Sequence, residues 1–169
     1  MLEPGCRILI SACLVGCKCN YKASEASVYA SDVVFWNRLF ELYRLLPVCP
    51  EQLGGMPTPR VPCEIKDSAG LVLQGAGHVF NREGLDTTAC FIKGAEEALR
   101  FARLNGIELA VMKSRSPSCG VSEVYDGTFS GRLVAGSGVA ARALLDSGFK
   151  VVDEFEFCRM FAVHSVSGF

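Results

Sequence analysis

Three cysteines stand in turns whose neighbours give them chemistry to do: Ser11-Ala12-Cys13-Leu14-Val15-Gly16, Pro47-Val48-Cys49-Pro50-Glu51 and Ser114-Arg115-Ser116-Pro117-Ser118-Cys119-Gly120. Each lies beyond a short apolar run that, as a buried strand, would deliver it to the same edge of a sheet. Three thiolates converging there make a metal or cluster site with one position left open. Glu51 brings a carboxylate into the Cys49 turn, and Ser116 and Ser118 bring hydroxyls into the Cys119 turn. A carboxylate and a hydroxyl beside an open metal position are what acid/base work on a bound substrate requires.

The spacing also weighs on the choice of metal. Structural zinc sites draw on close Cys-x-x-Cys pairs, and this chain has none. Clusters of the radical type use Cys-x-x-x-Cys-x-x-Cys, whereas Cys13, Cys17 and Cys19 fall one residue short of that pattern. Single cysteines far apart in sequence suit a cluster held where several loops meet. Zinc at the same three cysteines is the alternative.

Elements of the right kind precede each turn. Arg7 to Ala12 is short, apolar and β-branched, and reads as a buried strand. Ser31 or Asp32 can cap a helix carrying Phe35, Trp36, Leu39, Phe40 and Tyr43 at helical spacing. Leu45 to Val48 leads into Cys49 as a second strand, which completes a strand, crossover helix, strand unit of a parallel sheet. Gly54 to Arg60 is too rich in Gly and Pro for regular structure. Leu71-Val72-Leu73 and His78-Val79-Phe80, separated by Gly75 to Gly77, read as a hairpin. Asp86 or Thr87 caps a long helix to about Leu104, stopped by Asn105-Gly106. Ile107 to Met112 returns as a strand aimed at the Cys119 turn. A last helix from about Ser137 to Ser147, capped by Gly148, precedes a strand from Phe149 to Val152. This order predicts an α/β fold: a single three-layer domain over residues 1–169 with a mainly parallel, Rossmann-like sheet, whose ligands bind outside the carboxyl ends of the strands.

Composition agrees with one core. The chain has 169 residues, half of them hydrophobic and 21% charged, with a formal charge of -1, so nothing draws it globally toward nucleic acid. Nine cysteines are an odd count, unsuited to a disulfide framework and consistent with a reduced, cytoplasmic protein. Leu14-Val15-Gly16-Cys17 has the form of a lipoprotein cleavage site, but Glu3, Pro4, Gly5 and Cys6 stand where a basic segment belongs. No stretch approaches the roughly 20 apolar residues of a membrane span.

The motifs carry a resemblance. The three cysteine segments, Gln52-Leu53-Gly54-Gly55-Met56-Pro57-Thr58-Pro59-Arg60, Tyr125-Asp126-Gly127-Thr128-Phe129-Ser130-Gly131 and Gly136-Ser137-Gly138-Val139-Ala140-Ala141 together resemble a small bacterial family, formerly a domain of unknown function, whose studied members are the 2-thiouracil desulfidases. The resemblance runs from about residue 7 to 154. It implies a [4Fe-4S] cluster held by Cys13, Cys49 and Cys119, with one open iron that takes the sulfur of a thiocarbonyl. It further implies Glu51 as general acid/base and Ser116 as the hydroxyl that orients water or the base, with Ser114 as the alternative. Water replaces sulfur without net redox change, releasing an oxo product and hydrogen sulfide. Where the family continues with an Arg-Tyr-Asp-Gly-like run, this chain has Asn20-Tyr21-Lys22-Ala23. The substrate therefore stays open between a 2-thiouracil-like base, a thiolated nucleoside and a thiolated tRNA base. The additional C-terminal domain of some desulfidases is not expected here.

Other readings compete at particular residues. Cys6, Cys63, Cys90 and Cys158 read as small buried hydrophobes, whereas Cys17 and Cys19 lie beside the proposed site. Glu51 could instead pair with Arg60, Ser116 and Ser118 could serve only their turn, and Asp126-Gly127 could be a hairpin turn. Gly136-x-Gly138-x-x-Ala141 follows a strand-like Arg132 to Ala135 and precedes a helix, which is the setting of a dinucleotide fingerprint. It supports, as a second reading, a noncatalytic nucleotide-binding module. In the first reading Gly120, Gly136 and Gly138 offer backbone N–H groups to a substrate carbonyl or anion.

Overall fold

The computed structural model describes residues 2–26 and 33–166. Ser31 and Asp32, the caps expected for the first helix, lie outside these residues. Four strands, β1 (Arg7–Ser11), β2 (Arg44–Val48), β5 (Leu109–Met112) and β8 (Val151–Asp153), form one sheet in the order β2-β1-β5-β8. All three pairings are parallel, with Ile8 opposite both Leu45 and Leu109 and Ala110 opposite Val151. Crossover helices put material on both faces, so these strands read as continuous apolar runs.

Alternate residues feed two cores, as the two-residue period of a strand requires. Leu9, Ala110 and Met112 pack with Phe91, Ala95, Ala98 and Ala102 of α4 (Thr88–Leu104) and with Val139, Ala140 and Leu144 of α5 (Val139–Asp146). Ile8, Ile10, Leu109 and Val111 face the other way, onto Leu39 of α1 (Val33–Leu42), Tyr43, and Phe157 and Phe161 of α6 (Glu154–Val166). Phe35 and Tyr43 meet Phe161 edge-on at centroid distances of 5.3 and 6.3 Å, the arrangement that ring quadrupoles favour. The result is a three-layer α/β architecture. Among the described residues no helix is long and apolar enough to cross a membrane.

Two expectations need correction. Leu71 to Leu73 is not a hairpin strand but the end of a short helix, α3 (Ala69–Leu73), started by the Ser68 hydroxyl accepting from the Leu71 N–H. Its buried residues Ala69 and Val72 are three apart, a helical rather than a strand period. The actual partner of β4 (Val79–Asn81) is β3 (Cys63–Ile65), antiparallel. The helix ending near Ser147 is not the last, because α6 follows β8. The Asp126-Gly127 hairpin does form, between β6 (Glu123–Tyr125) and β7 (Leu133–Ala135). Its loop is longer than two residues: Asp126 Oδ1 accepts from the Thr128 N–H at 3.0 Å, and the Asp126 N–H donates to the Arg132 carbonyl at 3.1 Å.

Between β2 and β3 the chain makes one further short helix, α2 (Pro50–Leu53), with Pro50 at its first position and Cys49 as the flanking cap. Proline belongs there because its missing N–H is one the helix could not use. α2 crosses α4 at two glycines. A Cβ on Gly94 would stand 2.0 Å from the Pro50 carbonyl oxygen, and one on Gly54 would stand 2.0 Å from that of Cys90. Backbone therefore lies against backbone, and this contact sets where Cys49 and Glu51 sit.

Candidate active site

The carboxyl ends of β1, β2 and β5 open into a cavity of about 670 Å³. β1 runs into a single 3-10 turn, Ala12–Val15, that carries Cys13. β2 ends at Val48, directly before Cys49. Beyond β5 the chain reverses through Arg115, whose φ of 62° is a costly conformation for a residue with a side chain, and returns at Cys119. Cys13, Cys49, Cys119, Glu51, Ser114 and Ser116 all line this one cavity. The sheet thus brings together residues more than 100 positions apart.

Cys119, Cys49 and Cys19 on this wall are costly to ionise without a positive partner. Burial pushes the Cys119 thiol up to about 12, against hydrogen bonds with the Ser11 and Ser116 hydroxyls that favour the thiolate. Cys49 is raised first by sharing a hydrogen bond with the Cys19 thiol and then by burial. Cys19 is raised to about 11, chiefly by its contact with the Cys13 thiol. A metal supplies the missing charge and deprotonates such thiols. Among the described residues no three His, Cys, Asp or Glu side chains are gathered closely enough for a single metal ion. A cluster of several irons spreads its ligands more widely than a single ion does. The sulfur-rich wall fits the cluster.

Glu51 is in an ion pair with Arg60, and both side chains are almost fully buried, at 13% and 4% exposure. The Arg60 guanidinium also donates to the carbonyls of Cys19 at 3.1 Å and Pro57 at 3.2 Å, while its backbone N–H donates to the Tyr21 carbonyl at 3.0 Å. One arginine therefore ties together α2, the loop after Cys13 and the Gly/Pro-rich loop. The pairing with Arg60 does not remove Glu51 from the cavity; it holds the carboxylate at the wall.

The two candidate hydroxyls differ. Ser116 Oγ accepts from the N–H groups of Ser118 and Cys119 at 3.2 and 3.1 Å, which shapes the Cys119 turn. Ser114 is bound at both ends by Glu154: its N–H donates to Glu154 Oε2 at 2.8 Å and its hydroxyl to Oε1 at 2.7 Å. Lys113 Nζ donates to the same Oε1 at 2.7 Å. Burial alone would raise the Glu154 carboxyl, but the bonds from Lys113 and Ser114 outweigh it and hold the group below the ordinary carboxylate range. Ser11 completes the floor, its hydroxyl accepting from the Lys113 N–H at 2.9 Å.

Residues 8–156 match the family model described as 2-thiouracil desulfurase. The chain belongs to this family. It is 39% identical over 150 residues to YbbK of Bacillus subtilis (strain 168), an uncharacterized protein, covering 88% of this chain and 96% of that one. Its fold is similar, with a TM-score of 0.78, to a solved structure of the [4Fe-4S]-dependent thiouracil desulfidase TudS; the two are 33% identical over 95% of this chain and 99% of the other.

Within this desulfurase-family fold the cavity has further charged lining residues that the sequence does not announce. Glu64 on β3 is buried, and its Oε2 accepts from the Phe129 N–H at 2.9 Å. Arg82 stands over the Phe129 ring at 5.7 Å, a cation–π distance. Both line the cavity with Tyr125 and Lys22. The signal was slight, because β3 and β4 have three residues each. Glu154 was missed because it opens α6, a helix beyond the last one expected.

Gly120, Gly136 and Gly138 do not line this cavity. Gly138 lies behind it, where a Cβ would stand 2.4 Å from the Ser118 carbonyl carbon, and its N–H donates to the Gly120 carbonyl at 2.8 Å. The glycine lets α5 start against the Cys119 turn, whose Ser118 carbonyl accepts from Ala140 at 2.9 Å. Gly136 borders a separate cavity of about 380 Å³. The dinucleotide reading also loses its strand, because β7 pairs antiparallel with β6 and not with the central sheet. Cys17 is exposed, outside the cavity wall.

Proposed function

We propose that this protein is an iron–sulfur-dependent desulfidase that exchanges the sulfur of a thiocarbonyl pyrimidine for oxygen. The observation that carries the reading is the convergence of Cys13, Cys49 and Cys119 with Glu51 on one cavity at the sheet edge. In this reading Cys13, Cys49 and Cys119 hold a [4Fe-4S] cluster, which when bound supplies an iron with a free position for the thiocarbonyl sulfur. The Glu51 carboxylate, held at the wall by Arg60, accepts a proton from the water that attacks the thiocarbonyl carbon, and returns it toward the departing sulfur. Ser116 points that water, and Ser114, fixed by Glu154 and Lys113, supports the turn. One water enters and one hydrogen sulfide leaves, so no electron is exchanged and no redox partner is needed.

The cavity, about 670 Å³, has the size of pockets that take drug-sized ligands and holds both the cluster and the substrate in this reading. Lys22, Arg82 and Arg115 on its wall leave a place for a sugar or phosphate. A thiolated nucleoside or thiolated tRNA base therefore stands beside free 2-thiouracil as substrate. The work is carried by a single domain in a reducing, cytoplasmic setting, where free thiols persist.

The test is anaerobic reconstitution with iron and sulfide, followed by addition of 2-thiouracil and measurement of uracil and sulfide. Equal release over many turnovers is the expected result. A brown protein that is inactive on the base but active on a thiolated nucleoside moves the substrate outward along the cavity, and a colourless protein overturns the reading.

A further inference from the structure

Two further thiols, Cys19 and Cys63, line the same chamber. Cys19 is 4% exposed and lines the cavity with the three expected ligands. Its thiol interacts electrostatically with the Cys13 and Cys49 thiols. Buried Cys6, Cys63 and Cys119 each pack into an apolar core, and Cys19 packs into neither. Its backbone is held in place: the carbonyl accepts from Arg60 Nη1 at 3.1 Å and from the Cys49 thiol at 3.7 Å, and the N–H donates to the Cys17 carbonyl at 2.8 Å. Cys19 belongs to a loop, not to the rigid sheet, so its side chain can withdraw without disturbing the core.

We propose that Cys19 is an internal fourth ligand, which takes the iron left open by Cys13, Cys49 and Cys119 and is displaced by the sulfur of the substrate. The inference rests on the cluster of the proposed function. Capping forms one iron–thiolate bond and releases one proton to water. Displacement breaks that bond, returns one proton from water to the Cys19 sulfur and forms the bond to the incoming sulfur, with no electron transferred. The capped state shields the reactive iron between turnovers. It also weakens apparent substrate affinity by the fraction of molecules left uncapped, about tenfold if nine in ten are capped.

The experiment compares reconstituted wild type, Cys19→Ala and Cys17→Ala without substrate. Each is treated anaerobically with ferricyanide, and conversion to a three-iron cluster is followed by electron paramagnetic resonance. An uncapped iron is lost readily and a four-thiolate cluster holds it. The expected result is loss about tenfold faster in Cys19→Ala, with Cys17→Ala matching wild type. Cys19→Ser, close in size, replaces the alanine variant should that one fail to fold. Equal rates in wild type and the Cys19 variant, or equal acceleration in the Cys17 variant, overturn the inference while leaving the desulfidase reading in place. Absence of any cluster in wild type overturns that reading and the inference with it.

Discussion

Glu51 and Arg60 form an ion pair inside the wall of the cysteine cavity, with both side chains nearly closed off from solvent. The pair gives the site a carboxylate whose position does not depend on bound substrate, because Arg60 is itself anchored to the Cys19 and Pro57 carbonyls. Glu51→Gln keeps a hydrogen-bond acceptor for Arg60 and removes the proton-transfer group. Iron and sulfide content should match wild type while turnover falls by roughly 10²- to 10⁴-fold. Full turnover in the variant would show that the proton moves elsewhere.

Arg60 binds three segments at once, so its loss should register first in stability. Arg60→Ala leaves Glu51 buried without its partner, which costs about 3–5 kcal/mol. Urea unfolding of the cluster-free chain measures this directly, and Arg60→Lys should recover only part of it, because an ammonium lacks the guanidinium's fork of donors. An Arg60→Ala variant as stable as wild type would mean that the pair does not hold the loops together.

Cys119 is the most deeply enclosed of the three proposed ligands. Cys119→Ser should remove colour, iron and turnover together, because a buried hydroxyl is a poor substitute for a soft thiolate. Cys6→Ser, in the core on the opposite face of the sheet, should change stability without lowering the iron content. If the Cys119 variant retains full iron, the ligand set has been misassigned.

The sequence disclosed the parallel sheet because β1 and β5 are buried on both faces and read as unbroken apolar runs, and because β1, β2 and β5 each lead into a cysteine turn. The antiparallel pair of β3 and β4 was hidden for a physical reason. With three residues per strand, β3 and β4 offer no period to count, and the Gly-rich stretch between them suggested a turn in the wrong place. Glu64 and Arg82 were hidden with them. The Gly136 to Ala141 run was visible but its use was not: a glycine needed for close approach to a ligand looks the same as one needed for close approach to the Ser118 backbone.

A similar close approach gives Gly94 its importance, although it sits in the middle of α4, where glycine is otherwise unfavourable. Gly94→Ala puts a methyl into the Pro50 carbonyl oxygen. The helices must separate, at a cost of about 1–3 kcal/mol, and α2 carries Cys49 and Glu51 with it. The expected outcome is a lower thermal midpoint and weaker cluster retention from a residue outside the cavity lining. Gly84→Ala, where a Cβ meets nothing within 4 Å, tests the left-handed backbone cost alone and should leave the cluster unaffected.

Glu154 makes stability depend on pH in a predictable direction. Its carboxyl is held below the ordinary value of 4.5 in the folded chain, because the hydrogen bonds from Lys113 and Ser114 outweigh the opposing effect of burial. A depressed carboxylate contributes stability that is fully present above the unfolded value and is lost as pH falls through the folded one. That contribution should therefore be intact at neutral pH and disappear in the range below about 4.5. Glu154→Gln lacks the charge at every pH. It should be less stable than wild type by about 1–3 kcal/mol at pH 7, the worth of hydrogen bonds to a charged group, and the difference should close as wild type is acidified. Urea midpoints at a series of pH values from 7 down to 3 check this, and a gap that stays constant through the acid range would show that the Lys113–Glu154 bond contributes nothing through its charge.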